Sequence, residues 1–249
     1  TREAMYGYYA GDAVTMFNMP PTIITALSVS VVPVIASAFV KKDILKARQT
    51  TETAVRITLL LALPCAIGMS VLAEPILHII MNDVGAKTLL TVLSFGIIFV
   101  SLVLVTNAIL QAKGEVWIPV IHMFIGGLTK VVVNFILVGN IDININGAPI
   151  GTILCYFVTA MLNLISIKKY ISPRYGVGYI VKTVFSAVSM GVVVYFVYNL
   201  LYSLKTGSLF VMLCALLVSV LVGIVVYFTL LLLTSALKKQ DIEFMPKAE

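Results

Sequence analysis

His122, Gly126, Lys130 and Asn134 recur every four residues in the stretch HMFIGGLTKVVVNF. On an α-helix that spacing lines them up as one stripe. An ammonium deep in an apolar run costs roughly 2.5–3.5 kcal/mol on membrane-insertion scales, so Lys130 is expected to face a cavity or a partner. The competing reading is that its flexible stem snorkels to an interface; its depth in the run favours the first. Asp12 and Asn18 form a second polar group near the start of the chain, beside Tyr6, Tyr8 and Tyr9. The tyrosines fit the aromatic belt of a membrane surface, whereas Asp12 lies inside the apolar run that follows. Asp12, Asn18, Lys130 and Asn134 are therefore the candidate lining of a substrate path. Asn107 and Gln111, also four apart, read as hydrogen-bonding groups between helices.

Catalytic patterns are absent. There is no HExxH, GxSxG or Walker A stretch. His78 and His122 lie in different apolar runs, with no Cys or Glu cluster beside either. Cys65, Cys155 and Cys214 have no metal-ligand or CxxC spacing and read as small core residues. Asp142, Asn144, Asn146 and Gly147 match the start of a calcium loop. Its twelfth position requires a bidentate Glu and is Ile153, so the segment reads as an Asn/Gly turn. No metal or cofactor is expected, and the chemistry is that of a transport path rather than of an enzyme.

Such residues need a scaffold, and composition names its solvent. Of 249 residues, 60% are hydrophobic and 11% charged; a soluble domain carries about a quarter charged residues. The outer solvent is lipid. Charge-poor runs mark seven candidate spans, roughly 8–39, 54–80, 86–112, 116–139, 147–168, 179–204 and 207–237. Each reaches the ~20 apolar residues that cross ~30 Å of hydrocarbon. They read as helices, because backbone groups in lipid must pair internally and the short alternating segments of a barrel are missing. The predicted fold class is an all-α polytopic membrane protein with seven transmembrane helices.

Basic residues orient the spans. Lys41, Lys42, Lys46, Arg48, Arg56, Lys113, Lys168, Lys169, Arg174, Lys182, Lys238, Lys239 and Lys247 make 13 on one side, against Arg2, Lys87 and Lys205, 3, on the other. The positive-inside rule puts the 13 in the cytoplasm, with the N-terminus outside and the C-terminus inside. Because these residues sit in short clusters between apolar runs, without a basic aromatic face, no nucleic-acid partner is expected. TREAMYGYYAG lacks the pattern of a signal peptide and reads as an internal start, with an odd number of spans before it. The polar segment 41–56 reads as a helix lying along the cytoplasmic interface. Pro20 and Pro21 interrupt the first run; in lipid such breakers are tolerated where neighbours or water satisfy the freed carbonyls. The first span is expected to bend there, so Pro20 and Pro21 are candidate hinge residues.

The stretches GYYAGDAVTMFNMPPTIITALSVSVVPVIASAF, LLLALPCAIGMSVLAEPILHIIM, NAILQAKGEVWIPV and INGAPIGTILCYFVTAMLNLISIKKY, in that order, resemble the C-terminal half of MATE-like polysaccharide-export and lipid flippases. The likeness is to the stage V sporulation protein B family, with its MurJ-type lipid II flippases, and covers roughly residues 6–240. It implies spans eight to fourteen of a fourteen-span, two-lobe transporter of the bacterial cytoplasmic membrane. Residues 1–170 would hold the C-lobe helices, 171–237 two additional helices, and 238–249 a cytoplasmic tail. It further implies a lipid-linked anionic glycan precursor, with lipid II the leading candidate, moved through the bilayer by alternating access, and an N-terminal lobe as partner. That lobe would carry the arginine-rich part of the cavity. Asp12, Asn18 and the proline bend would form one cavity wall, and Lys130 would pair with a pyrophosphate or with a carboxylate of the other lobe. A MATE-type cation antiporter and a membrane-embedded structural or lipid-modifying protein are the alternatives. The charge asymmetry makes a direct prediction: in a Cys-free background, Asn144→Cys is labelled by an impermeant reagent from outside and Gln240→Cys is not. Reversed labelling would overturn the orientation.

Overall fold

The computed structural model describes residues 2–140, 142–173, 176–204 and 209–235. The predicted tail 238–249 and the basic residues Arg174, Lys205, Lys238, Lys239 and Lys247 lie outside them. The described residues are helical and contain no strand. The helices are α1 (Arg2–Gly7), α2 (Val14–Val40), α3 (Ile44–Val71), α4 (Ala73–Met81), α5 (Lys87–Leu93), α6 (Gly96–Ala112), α7 (Trp117–Leu137), α8 (Ala148–Ile171), α9 (Val177–Leu204) and α10 (Leu209–Leu233). A π-helical turn, Tyr8–Ala13, joins α1 to α2, and a 3₁₀ turn, Asn144–Gly147, leads into α8. Six helical stretches are long and apolar enough to cross a membrane, and the pair α5–α6 makes a seventh when taken together. The protein is thus an all-α multi-pass membrane protein, as its composition predicts.

Three boundaries differ from those read in the sequence. The segment 41–56 is not a separate helix, since from Ile44 it is continuous with the span that follows. Asp43 caps α3 by accepting from the Lys46 N–H at 3.0 Å, and the helix runs straight on into the bundle with Ala47, Thr50, Thr51 and Ala54 buried. Small side chains and threonines pack between helices, which hides their polarity from a composition count. The predicted span 54–80 is split at Leu72, because the ring of Pro75 would meet the Val71 carbonyl if the helix continued. The predicted span 86–112 bends by 43° between α5 and α6. There Ser94 turns its buried hydroxyl back to the Leu90 carbonyl at 2.6 Å, a bond that loosens a helix. Gly96 meanwhile admits the Phe17 ring against the backbone.

The helices pack as a row of neighbours: α7 on α8, α8 on α6, α6 on α2 and α3, α3 on α9, and α9 on α10. One buried cluster, around Ile24, Ile35, Leu110 and Ile167, joins α2, α3, α6 and α8 toward the end with the basic loops. A second, around Phe17, Leu77, Leu90 and Ile97, joins α2, α4, α5 and α6 toward the opposite end. A third, around Leu60, Met190 and Tyr227, seats α9 and α10 on α3. Cations and rings reinforce the basic end. The Lys113 ammonium sits 3.0 Å from the centre of the Tyr170 ring and the Arg56 guanidinium 4.6 Å from that of Tyr179.

At the opposite end the loop between α4 and α5 is fastened by Asp83. Its carboxylate accepts from the Gly85 N–H at 2.8 Å. The Gly85 backbone lies so close to the Tyr8 ring that an added Cβ would come within 2.6 Å of it. The Gly85 N–H, more than any other group, holds the Asp83 carboxyl below its ordinary range, with the Tyr8 hydroxyl acting in the same direction. A depressed carboxylate contributes stability that is complete above its unfolded pKa of about 3.9 and is lost as pH falls through the lower folded value. Exchange of the Gly85 amide is therefore expected to be slow and flat with pH, after correction for intrinsic rates, down to about 4, and to accelerate below it. Asp83→Asn should abolish that acid-side step; an unchanged step in the variant would refute the assignment.

Candidate functional site

The predicted stripe exists, and α7 turns it toward α8. His122, Lys130 and Asn134 are half-buried and Gly126 is fully buried, whereas Phe124, Val131 and Phe135 elsewhere on α7 are exposed. One end of this seam is a polar network. His122 Nδ1 lies 2.8 Å from Asn163 Oδ1. Asn163 donates through Nδ2 to Asn107 Oδ1 at 2.7 Å and to Thr106 Oγ1 at 2.9 Å. With both Nδ2 protons used, Oδ1 must accept, so the network assigns the His122 proton to Nδ1. Asn107 thus joins helices as its spacing predicts, while Gln111 is exposed. Asn163, wholly buried at the hub, was not singled out in the sequence; its only signal is a lone carboxamide in an apolar run.

Glycines close the middle and far end of the seam. A Cβ on Gly126 would come within 2.6 Å of the Cys155 carbonyl and would overlap Thr159 Oγ1; one on Gly151 would overlap the Asn134 carboxamide. Asn134 Oδ1 is enclosed there with no hydrogen-bond partner among the described residues. The Lys130 ammonium makes no ion pair or hydrogen bond among the described residues, and the Cys155 thiol is close enough to feel its charge. Beyond Gly151 the π-helical turn meets α8, with the Tyr9 hydroxyl 2.7 Å from Thr152 Oγ1. Asn134 and this turn border an open cleft of about 890 Å³, with Tyr6, Tyr9 and Asn140 among its walls.

Asp12 and Asn18 belong to a different surface. Asp12 is half-buried in the π-helical turn and Asn18 is exposed on α2. They begin an uncovered face of α2 that carries Thr15, Thr22, Thr25, Ser30 and Ser37 interspersed with exposed Met19, Ile23, Val29 and Val40. Thr22 donates to the Met19 carbonyl and Thr25 to the Thr22 carbonyl, both at 2.6 Å, and Ser37 to the Val34 carbonyl at 2.9 Å. With their protons engaged in the helix, these hydroxyls present lone pairs outward, which suits water, sugar hydroxyls and N–H donors. The exposed faces of α7, α9 and α10 are more uniformly apolar, with Phe124, Val132, Phe135, Val181, Phe185, Leu221, Val225 and Leu232 outward, although α9 also exposes Lys182 and Asn199 and α10 Thr229. The four predicted path residues therefore fall into two pairs, Asp12 with Asn18 on the open polar face and Lys130 with Asn134 in the α7–α8 seam.

α2 stays α-helical from Val14 to Val40 through Pro20, Pro21 and Pro33. The departure from α geometry in this span comes earlier, in the π-helical turn Tyr8–Ala13. Pro21 is buried, and Pro20 borders an apolar groove of about 350 Å³ between α3, α4, α9 and α10. Pro64, Gly68, Met190, Gly223 and Tyr227 line that groove.

A family model described as lipid II flippase MurJ matches residues 5–215. Stage V sporulation protein B of Bacillus subtilis (strain 168) is 23% identical over 164 residues, which is 66% of this chain and 32% of that protein. Lipid II flippase MurJ of the same organism is 26% identical over 163 residues, 63% of this chain and 29% of that one. Among solved structures, a lipid II flippase MurJ in an inward closed conformation superposes with a TM-score of 0.73 at 17% identity, covering 97% of this chain and 48% of that chain. An inward-facing MATE family transporter of the MOP superfamily gives 0.57 at 19% identity, covering 89% and 56%. The chain spans about a third of the length of these curated relatives and about half of the solved chains.

The seam makes a paired prediction. Gly126→Ala forces its new methyl into Thr159 and the Cys155 backbone, an overpacking expected to cost about 1–3 kcal/mol. Gly127, its neighbour, has nothing within 4 Å of a Cβ, and Gly127→Ala should stabilise the helix by up to about 1 kcal/mol. Thermal unfolding in detergent, read from a probe on α7, compares them; equal midpoints for the two variants would show that the seam is not close-packed at Gly126.

Proposed function

The chain belongs to the lipid II flippase MurJ family, and on that premise we propose that it supplies one wall of a transporter for a lipid-linked anionic cell-wall precursor. The membrane would be the bacterial cytoplasmic membrane, with the basic loops inside. The observation that carries this reading is the contrast between outer faces. Those of α7, α9 and α10 are mostly apolar and suit lipid, while that of α2 sets a series of hydroxyls, Asn18 and, at its edge, Asp12 among apolar side chains. A row of polar groups turned toward hydrocarbon is costly and marks a water-filled path or a protein partner. The rest of a two-lobed transporter would stand opposite α2 and enclose a hydrated cavity for the glycan headgroup.

The apolar groove beside Pro20 then takes the hydrocarbon part of the same substrate. It is walled by side chains with almost no polar atoms, and it lies on the flank of the helix whose other face is polar. One molecule with a polar head and a long apolar chain fits both surfaces at once. Alternating access would expose the head to each side in turn while the chain stays in hydrocarbon. Pro20 and Pro21, between the two surfaces, remain the hinge we propose for α2. A MATE-type antiporter of organic cations would want an acidic wall, and Asp12 is the one carboxylate on the described α2 face.

Lys130 gives the test. Lacking an anion among the described residues, its charge is proposed to be met by the substrate pyrophosphate or by a carboxylate elsewhere in the intact protein. Lys130→Met keeps the apolar stem and removes the ammonium. In proteoliposomes with a fluorescent lipid II analogue, the intact Lys130→Met protein is expected to insert and fold normally and to flip at least about tenfold more slowly, the rate equivalent of about 1.4 kcal/mol. Wild-type flipping at equal protein density would reject the role of the charge. Failure of the wild-type protein itself to move the analogue, in either direction and with an imposed membrane potential, would reject the substrate class.

A further inference from the structure

Pro64 stands inside α3, so the carbonyl four residues earlier, that of Leu60, has no helical N–H to accept from. Leu60 is 1% exposed, and in a membrane an unpaired carbonyl at such a place is costly. The Tyr227 hydroxyl, from α10, fills the gap. It donates to the Leu60 carbonyl at 2.8 Å, and Tyr227 is itself 3% exposed. One turn earlier on α3 the Tyr179 hydroxyl of α9 donates to the Arg56 carbonyl at 3.1 Å. One turn before Tyr227, Gly223 lets α10 press on α9 so closely that a Cβ there would lie 2.7 Å from Val194 Cγ2. The α9–α10 pair is thus held together by small residues and fastened to α3 by two phenols, one of them at the proline's orphaned carbonyl.

We infer that Tyr227 is a positioning residue: its hydroxyl takes the place of the N–H that Pro64 lacks, fixes α10 against α3, and so sets the shape of the apolar groove between them. Leu60, Pro64, Gly223 and Tyr227 all line that groove. The groove sits where a proline has freed a carbonyl and a neighbouring helix has recaptured it. A fully hydrogen-bonded α3 would need no such contact with α10. This inference rests on the proposed function only in taking the groove's ligand to be a hydrocarbon chain.

Tyr227→Phe, Pro64→Ala and the double variant of the intact protein separate the two parts. Tyr227→Phe should lower the thermal midpoint by roughly 5 °C when Pro64 is present. It should have little effect in the Pro64→Ala background, where the restored backbone N–H pairs with the Leu60 carbonyl. Equal losses in both backgrounds would overturn the hydrogen-bond assignment. For the groove, the probe is a polyprenyl pyrophosphate carrying a diazirine on its chain, photolysed in liposomes and mapped by peptide mass spectrometry. Labelling of α10 residues that face the groove should fall several-fold in Tyr227→Phe. It should stay low in the double variant although its stability is regained, because α10 is still untied. Recovery of labelling together with stability would show that Tyr227 is structural and does not position the groove. Absence of groove labelling in the wild-type protein would overturn both the hydrocarbon ligand and the positioning role, while the thermal comparison would still decide the bond.

Discussion

Backbone carbonyls in hydrocarbon have no water to turn to, and this constraint shapes the protein wherever its helices are irregular. Four prolines stand inside α2 and α3, and each removes a bond that a spanning helix would otherwise make. At Pro64 the deficit is met across a helix interface by Tyr227. Pro75 and the Ser94 hydroxyl, by contrast, coincide with places where a span is divided or bent. The consequence is a bundle whose interhelical contacts are partly dictated by what its backbone lacks. Such contacts differ from ordinary packing, because losing one strands a polar atom as well as opening a gap.

Between these points the helices approach one another through small residues. Gly126 and Gly151 bring α7 onto α8, Gly191 admits Ile67 between α9 and α3, and Gly223 brings α10 onto α9. In lipid there is no hydrophobic gain from helix association, so dispersion across close surfaces and a few buried hydrogen bonds must supply it. The Asn163 hub does this for α6, α7 and α8 at once. Its geometry also fixes the His122 proton on Nδ1.

The functional reading follows from which faces remain after this packing. α7, α9 and α10 show mostly hydrocarbon outward, and α2 shows a series of hydroxyls among its apolar side chains, so the two sides of the bundle differ in polarity. A groove with almost no polar atoms lies beside that helix. A lipid-linked glycan, the substrate class proposed here, has both parts. The Lys130–Asn134 stretch of α7 stands apart from the α2 face, with Asn134 at the border of its own cleft.

The length of the apolar runs, the helical character of the spans and the four-residue stripe on α7 were legible in the sequence, because each depends on composition or spacing within one segment. So was the pairing role of Asn107. The sequence was misleading at 41–56, where buried threonines looked like an exposed polar helix, and it suggested one continuous span where Pro75 divides α3 from α4. Which helix covers the α7 stripe, what satisfies the Leu60 carbonyl, and which helix face is left open were decided only by tertiary structure. A stripe declares that it will be covered but not by which helix. A proline declares an orphaned carbonyl but not the donor, which here comes from a tyrosine 167 positions away in the chain. Burial and hydrogen-bond partners are properties of pairs of segments, and the pairing exists only once the bundle has formed.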